Sequence, residues 1–258
     1  MYSHLETVIL LYISALTNTD NLWGVEDPFQ NHSNEEIPFE LLRIQDQLLQ
    51  KGIVEARPDG QFSPSKDLIQ LIQHCKQSEK VFIFNSSLAV DAGTQLRFFD
   101  HSGAFVRYFH RGEAELSLVT RELAFQEVSA LFGDASPQDE PDFSLETGII
   151  RLRRMGSLSR RHFLFELKNC GCEDSLAELI VDALQGQSEF CSLLAYDRNN
   201  GLETLTDKLV TLRFSDGNLI VTPGQSNIDS VCLSRLTEDK LKHALICVFG
   251  METEVAVV

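Results

Sequence analysis

An α+β fold is what this sequence predicts: a pseudo-two-fold duplicated unit whose central antiparallel sheet is flanked by helices. Three observations predict it. Apolar residues recur at helical spacing in some segments and alternate in short aromatic-rich runs in others, so both element types are present. The same order of elements runs through both halves of the 258 residues. Three short sequence matches also lie collinearly along those halves.

Leu5 to Leu16 is apolar on most sides and predicts a mostly buried helix, followed by a loop and then Leu22-Trp23-Gly24-Val25, with Trp23 in the core. Asp27 to Glu36 has loop composition. From Pro38 to Lys51, Phe39, Leu41, Leu42, Ile44, Leu48 and Leu49 recur as one amphipathic stripe, with Gly52 as the stop. Ile53 to Ala56 and Gln61-Phe62 predict a small hairpin turned at Asp59-Gly60. Ser63 is then read as a cap and Pro64 as the first residue of a helix burying Leu68, Ile69, Leu71 and Ile72. Helix, hairpin and helix together outline a winged-helix-like N-terminal element.

The period then changes. Val81 to Phe84, Gln95 to Phe99, Ala104 to Phe109 and Ala114 to Val119 predict antiparallel strands, with a turn at Asp100 to Gly103. Thr120 is placed to cap a helix through Leu123, Val128 and Leu131 that stops near Gly133. The first copy therefore spans residues 1–133 and the second 134–258, interlocked into one body, with the acidic, proline-containing stretch Asp134 to Asp142 connecting them.

The matches that pair the copies are Leu41-Leu42-Arg43-Ile44 with Ile149-Ile150-Arg151-Leu152, Leu96 to Asp100 with Leu212 to Asp216, and Thr120 to Gly133 with Thr237 to Gly250. The offset widens along the chain and puts the extra residues between Ile180 and Leu212, where Asp197 to Gly201 is polar and turn-forming. Similar layouts of helices and strands also arise without duplication.

A net charge of −16 and a pI near 4.8 disfavour nucleic acid and anionic lipid as partners, since both are held by Lys and Arg. Six irregularly spaced cysteines read as buried, reduced thiols. The apolar run Val8 to Ile13 lacks the basic entry of a signal peptide and is too short to cross a bilayer, so a cytoplasmic location is expected.

No assembled catalytic motif is present. The sequence lacks a Gly-x-Ser-x-Gly elbow, a P-loop, a dinucleotide glycine fingerprint and a His-Glu-x-x-His pair, so no catalytic, cofactor or metal residue is assigned. Cys170-Gly171-Cys172 after His162 has zinc-ligand chemistry, but its spacing is wrong and no second pair accompanies it. Pro64 to Cys75 carries only Lys66 as a base and reads as scaffold rather than a groove-reading helix.

Two features point to protein binding. Arg151, Arg153, Arg154, Arg160 and Arg161 concentrate five of 22 basic residues in eleven positions, as either a receiver for an acidic segment or a solvated face. Strand alternation places Arg97 and Phe99 opposite Leu96 and Phe98, and groups them with Arg107, Phe109 and Arg213 on one sheet face. That face is expected to be either a docking surface or one side of a core covered on both sides.

The pattern of Val8 to Ala15, Leu22 to Val25, Leu48 to Val54, Phe62-Ser63-Pro64 and Leu68-Ile69, followed by the strand array, resembles the EspG-like secretion chaperones of type VII (ESX) systems and especially their Firmicute relatives. The resemblance implies a pseudo-two-fold α/β fold and a cytosolic, non-catalytic chaperone or adaptor that binds a helical secreted substrate protein. The long substrate loop of the mycobacterial members has no clear counterpart in the first copy. A winged-helix transcriptional regulator and an enzyme with an unrecognised site are the alternatives.

Overall fold

Ser33 and Glu36 set the start of the first described helix. The Ser33 amide and hydroxyl both donate to Glu36 Oε2 at 2.9 Å, while the Glu36 amide donates back to Ser33 Oγ at 3.3 Å. This reciprocal box satisfies amides that the first helical turn leaves without partners, and α1 runs Glu36–Gln50. The computed structural model describes residues 2–3, 33–52, 54–56, 58, 62–64, 66–87, 95–111, 113–132, 144–186, 188–199, 202–214, 217–224 and 229–251. The expected helix Leu5 to Leu16 and the segment Leu22 to Val25 lie outside them.

Beyond β1 (Tyr2–Ser3) and α1, the predicted hairpin forms as β2 (Val54–Ala56) paired with β3 (Phe62–Pro64). Ser63 and Pro64 therefore end a strand instead of opening a helix, and α2 starts later, at Lys66–Gln77. Proline fits a strand end because the donor it lacks is not needed there. The strands β4 (Lys80–Ser86), β5 (Gln95–His101), β6 (Ala104–Arg111) and β7 (Glu113–Val119) lead into α3 (Arg121–Phe132). The β5–β6 turn is tighter than expected: only Ser102 and Gly103 form it, both at positive φ, with Asp100 Oδ1 accepting from the Gly103 amide at 3.1 Å.

The second half opens with β8 (Ser144–Gly148) and three helices, α4 (Ile149–Gly156), α5 (Arg160–Asn169) and α6 (Asp174–Gln185). Then β9 (Glu189–Asn199), β10 (Leu202–Phe214), β11 (Gly217–Pro223), β12 (Ser230–Arg235) and α7 (Glu238–Phe249) repeat the earlier order of four strands and a helix. The described residues of the three sequence matches fall on or at the start of α1 and α4, β5 and β10, and α3 and α7, the last two helices being 12 residues each. The extra residues go into longer strands, 11 in β9 and 13 in β10 against 7 each in β4 and β5. The architecture is thus mixed helix and strand, a central antiparallel sheet flanked by helices.

Two compact units share the chain discontinuously: Met1–Val81, Gly93–Thr120 and Asp197–Glu203 form one, and Phe82–Ala92, Arg121–Tyr196 and Thr204–Val258 the other. Neither coincides with residues 1–133 or 134–258, because α3 and most of β4 pack in the second unit. In the first unit the strand order is β1-β7-β6-β5, and α2 packs on β5 through buried Leu68, Ile72 and Cys75. In the second unit β4 neighbours β9, the Ser87 amide donating to the Phe190 carbonyl at 2.9 Å, and the order continues β9-β10-β11-β12-β8. One face of that sheet is covered by α4, α5 and α6, whose Met155, Phe163, Leu167, Leu176 and Ile180 meet Leu145, Leu219 and Leu233. On the opposite side Phe249 of α7 stacks on Phe82 at 4.8 Å and meets Phe125 of α3 edge-on at 6.1 Å.

Candidate functional site

Pairing register divides the five residues expected on one sheet face. Directly opposite residues on neighbouring antiparallel strands share a face. Arg97 opposes Tyr108 and Phe99 opposes Val106, whereas Leu96 opposes Phe109 and Phe98 opposes Arg107. Arg97 and Phe99 thus lie on one face of β5–β6, and Arg107 and Phe109 on the other. Alternation along a single strand reveals relative facing within that strand only, and the β5–β6 register, set by a two-residue turn, puts the second pair out of phase with the first.

Both faces are also occupied. Phe99 is 1% exposed. On its side His101 meets His74 of α2 with ring centroids 5.5 Å apart, and His74 Nε2 lies 2.8 Å from the Ala104 carbonyl oxygen. The Arg97 guanidinium sits 5.9 Å from the Tyr108 ring centroid. Burial pushes the Tyr108 hydroxyl up to about 12, an effect Arg97 partly offsets. On the other face Leu96, Phe98 and Phe105 are fully buried, and Arg107 lies 4.8 Å from the Phe109 ring and donates to Glu115 at 3.1 Å. Arg213, on β10 in the second unit, opposes Asn218 and is half-buried. Of the two outcomes open to the sequence for β5 and β6, the doubly covered core is the one the fold adopts.

The cysteines divide too. All six are free thiols; Cys75, Cys172 and Cys191 are buried, Cys170 and Cys232 intermediate, and Cys247 exposed. Cys247 corrects the expectation of uniform burial: it is exposed on α7, where its Sγ lies 3.9 Å from His243 Nε2. Among the described residues no group of three His, Cys, Asp or Glu side chains is placed to hold a metal ion.

The arginine cluster lies on α4 and α5. Their inner stripe, Met155, Phe163 and Leu167, is committed to the core, so residues out of phase with it must point away. Gln185 at the end of α6 fixes the turn between them, its Nε2 donating to the carbonyls of Gly156 at 3.2 Å and Leu158 at 2.6 Å. Arg151 reaches Glu166 at 4.0 Å and Arg160 pairs with Asp182. Among the described residues Arg153, Arg154 and Arg161 make no ion pair. Exposed apolar side chains stand beside them: Ile150 is 69% exposed and Phe165 61%, with Ile149 and Leu158 also open. Ile149, Ile150, Arg151, Arg154 and Leu158 line a cavity of about 1040 Å³, which Glu166 and Asp229 complete. The sequence signalled the arginines but not the exposure of the isoleucines; Leu42, the match of Ile150 in the first copy, is exposed as well.

A second concavity, about 630 Å³, lies between α7 and the sheet and is lined by Ile220, Thr222, Cys232, Ser234, His243 and Cys247 among others. None of the described helices is long and apolar enough to cross a membrane.

The sequence matches no protein-family model and no curated protein. The fold is nonetheless similar to that of the Mycobacterium tuberculosis type VII secretion system chaperone EspG5, solved in complex with the PE25-PPE41 dimer. The TM-score is 0.64 over 82% of this chain and 85% of that one, at 10% sequence identity. At that identity the likeness is one of architecture, and the chain has an EspG-like fold.

Proposed function

We propose that this protein is a cytosolic, non-catalytic chaperone or adaptor that holds a helical substrate protein of a type VII-like secretion system, as one of the Firmicute relatives of the EspG-like proteins. The observation that carries the reading is the likeness to a secretion chaperone along most of both chains. Large apolar side chains left open on α4 and α5 add to it, because single-chain proteins place contiguous apolar surface outside mainly where a partner covers it. Co-expression with small helical proteins encoded beside it tests the reading. The expected result is a complex that survives size-exclusion chromatography. If every such protein elutes apart from the folded chain, the proposal fails.

A further inference from the structure

We infer that the α4–α5 face is a docking surface for an acidic amphipathic helix: a partner segment with an apolar stripe bordered by Asp and Glu. The inference rests on the chaperone reading for the partner's helical form and adds where and by what chemistry it is held. Residues 149–169 carry six basic side chains against one acid, Glu166, in a chain whose net charge is −16. Like charges crowded on neighbouring helical turns repel, and the chain has 38 acidic residues, yet Arg153, Arg154 and Arg161 have no ion pair among the described residues. Carboxylates from a partner segment would supply the counter-charge that the described residues do not. The apolar part is as specific: Ile149, Ile150 and Leu158 line the same cavity as Arg151 and Arg154, so an apolar stripe and a carboxylate border are met together. Arg161 and Phe165 stand four residues apart on α5, on one face of the helix.

Most of the lining of this cavity comes from α4 and the turn after it, which suits a helix laid into a groove read by anchors at i, i+3 and i+4. Nucleic acid and anionic membranes fit less well, because Glu166 and Asp229 stand in the wall and the chain as a whole is strongly acidic.

The probe is a fluorescein-labelled synthetic peptide of about five helical turns with leucines at helical spacing flanked by glutamates, read by fluorescence anisotropy. Its controls are the same peptide with every glutamate replaced by lysine, and vesicles of phosphatidylcholine and phosphatidylglycerol. The acidic peptide is expected to bind, more weakly at high salt. The Arg153→Glu, Arg154→Glu, Arg161→Glu triple variant should weaken it by at least about tenfold, and Ile150→Ala by several-fold. All four positions are exposed, so melting temperatures should hold; if the triple variant fails to fold, Ile150→Ala alone decides. Equal binding of the lysine peptide, indifference to both variants, or arginine-dependent binding to vesicles alone overturns the inference. A co-expressed substrate complex untouched by the triple variant also overturns it while leaving the chaperone reading intact. Arginine-dependent peptide binding with no co-purifying substrate supports the surface and removes the chaperone reading.

Discussion

Phe163 and Ile150 are both large apolar side chains in the α4–α5 segment, and burial alone gives them opposite roles. Phe163 is fully buried in the core beneath the second unit's sheet, so Phe163→Ala should cost about 3–5 kcal/mol in urea denaturation. Ile150→Ser should change stability by no more than about 0.5 kcal/mol, since its side chain is already in water. Burial also orders the thiols. Exposed Cys247 should react with iodoacetamide in the native protein, whereas Cys75, whose ionisation is pushed far up by burial, and Cys172 should react only on unfolding; peptide mass spectrometry reads the order. Cys172 is raised from 9.0 to about 11, chiefly by burial and then by its neighbour Cys170. Below pH 9 the thiol is protonated in both states and its contribution is fully present. Between pH 9 and 11 only the unfolded state ionises, so stability falls as pH rises. Tyr108, raised to about 12, extends the loss upward. The melting temperature should therefore drop above about pH 9, and less steeply in Cys172→Ala.

At the scale of elements, helix ends show how much local chemistry was legible. Thr237 and Gly250 were readable as the ends of α7, and the fold uses both: Thr237 Oγ1 accepts from the Lys240 amide at 3.3 Å, and Gly250 adopts φ 62. Thr237→Ala should destabilise by about 1 kcal/mol, and Gly250→Ala by about 1–2 kcal/mol because a Cβ is strained in the left-handed region; guanidinium titration measures both. Ser33 and Glu36 carried an equally local signal, a serine three residues before a glutamate, which the surrounding asparagines and prolines masked as loop. The opposite error befell Ser63 and Pro64. Their cap-and-first-turn chemistry is real, but the pairing of Val54 with Pro64 extends the strand through them, and a cross-strand ladder is not visible in either strand alone.

For the molecule as a whole, cutting the chain after residue 133 should yield two fragments that do not fold, because the first unit takes Asp197–Glu203 and the second takes Phe82–Ala92 and Arg121 onward. Circular dichroism and amide dispersion of the separate fragments test this; a fragment with native-like dispersion would show that sequence halves are folding units. The sequence by itself determined the element types, their repeated order and the ends of α7, because periodicity, capping and turn chemistry act within a few residues. Only the tertiary structure decided that Arg97 and Arg107 stand on opposite sides of β5–β6, that both sides are covered, and that Ile149 and Ile150 are open near arginines that make no ion pair among the described residues. Register between strands and the choice of which helix covers which face are set by contacts far apart in the chain, and no local pattern encodes them.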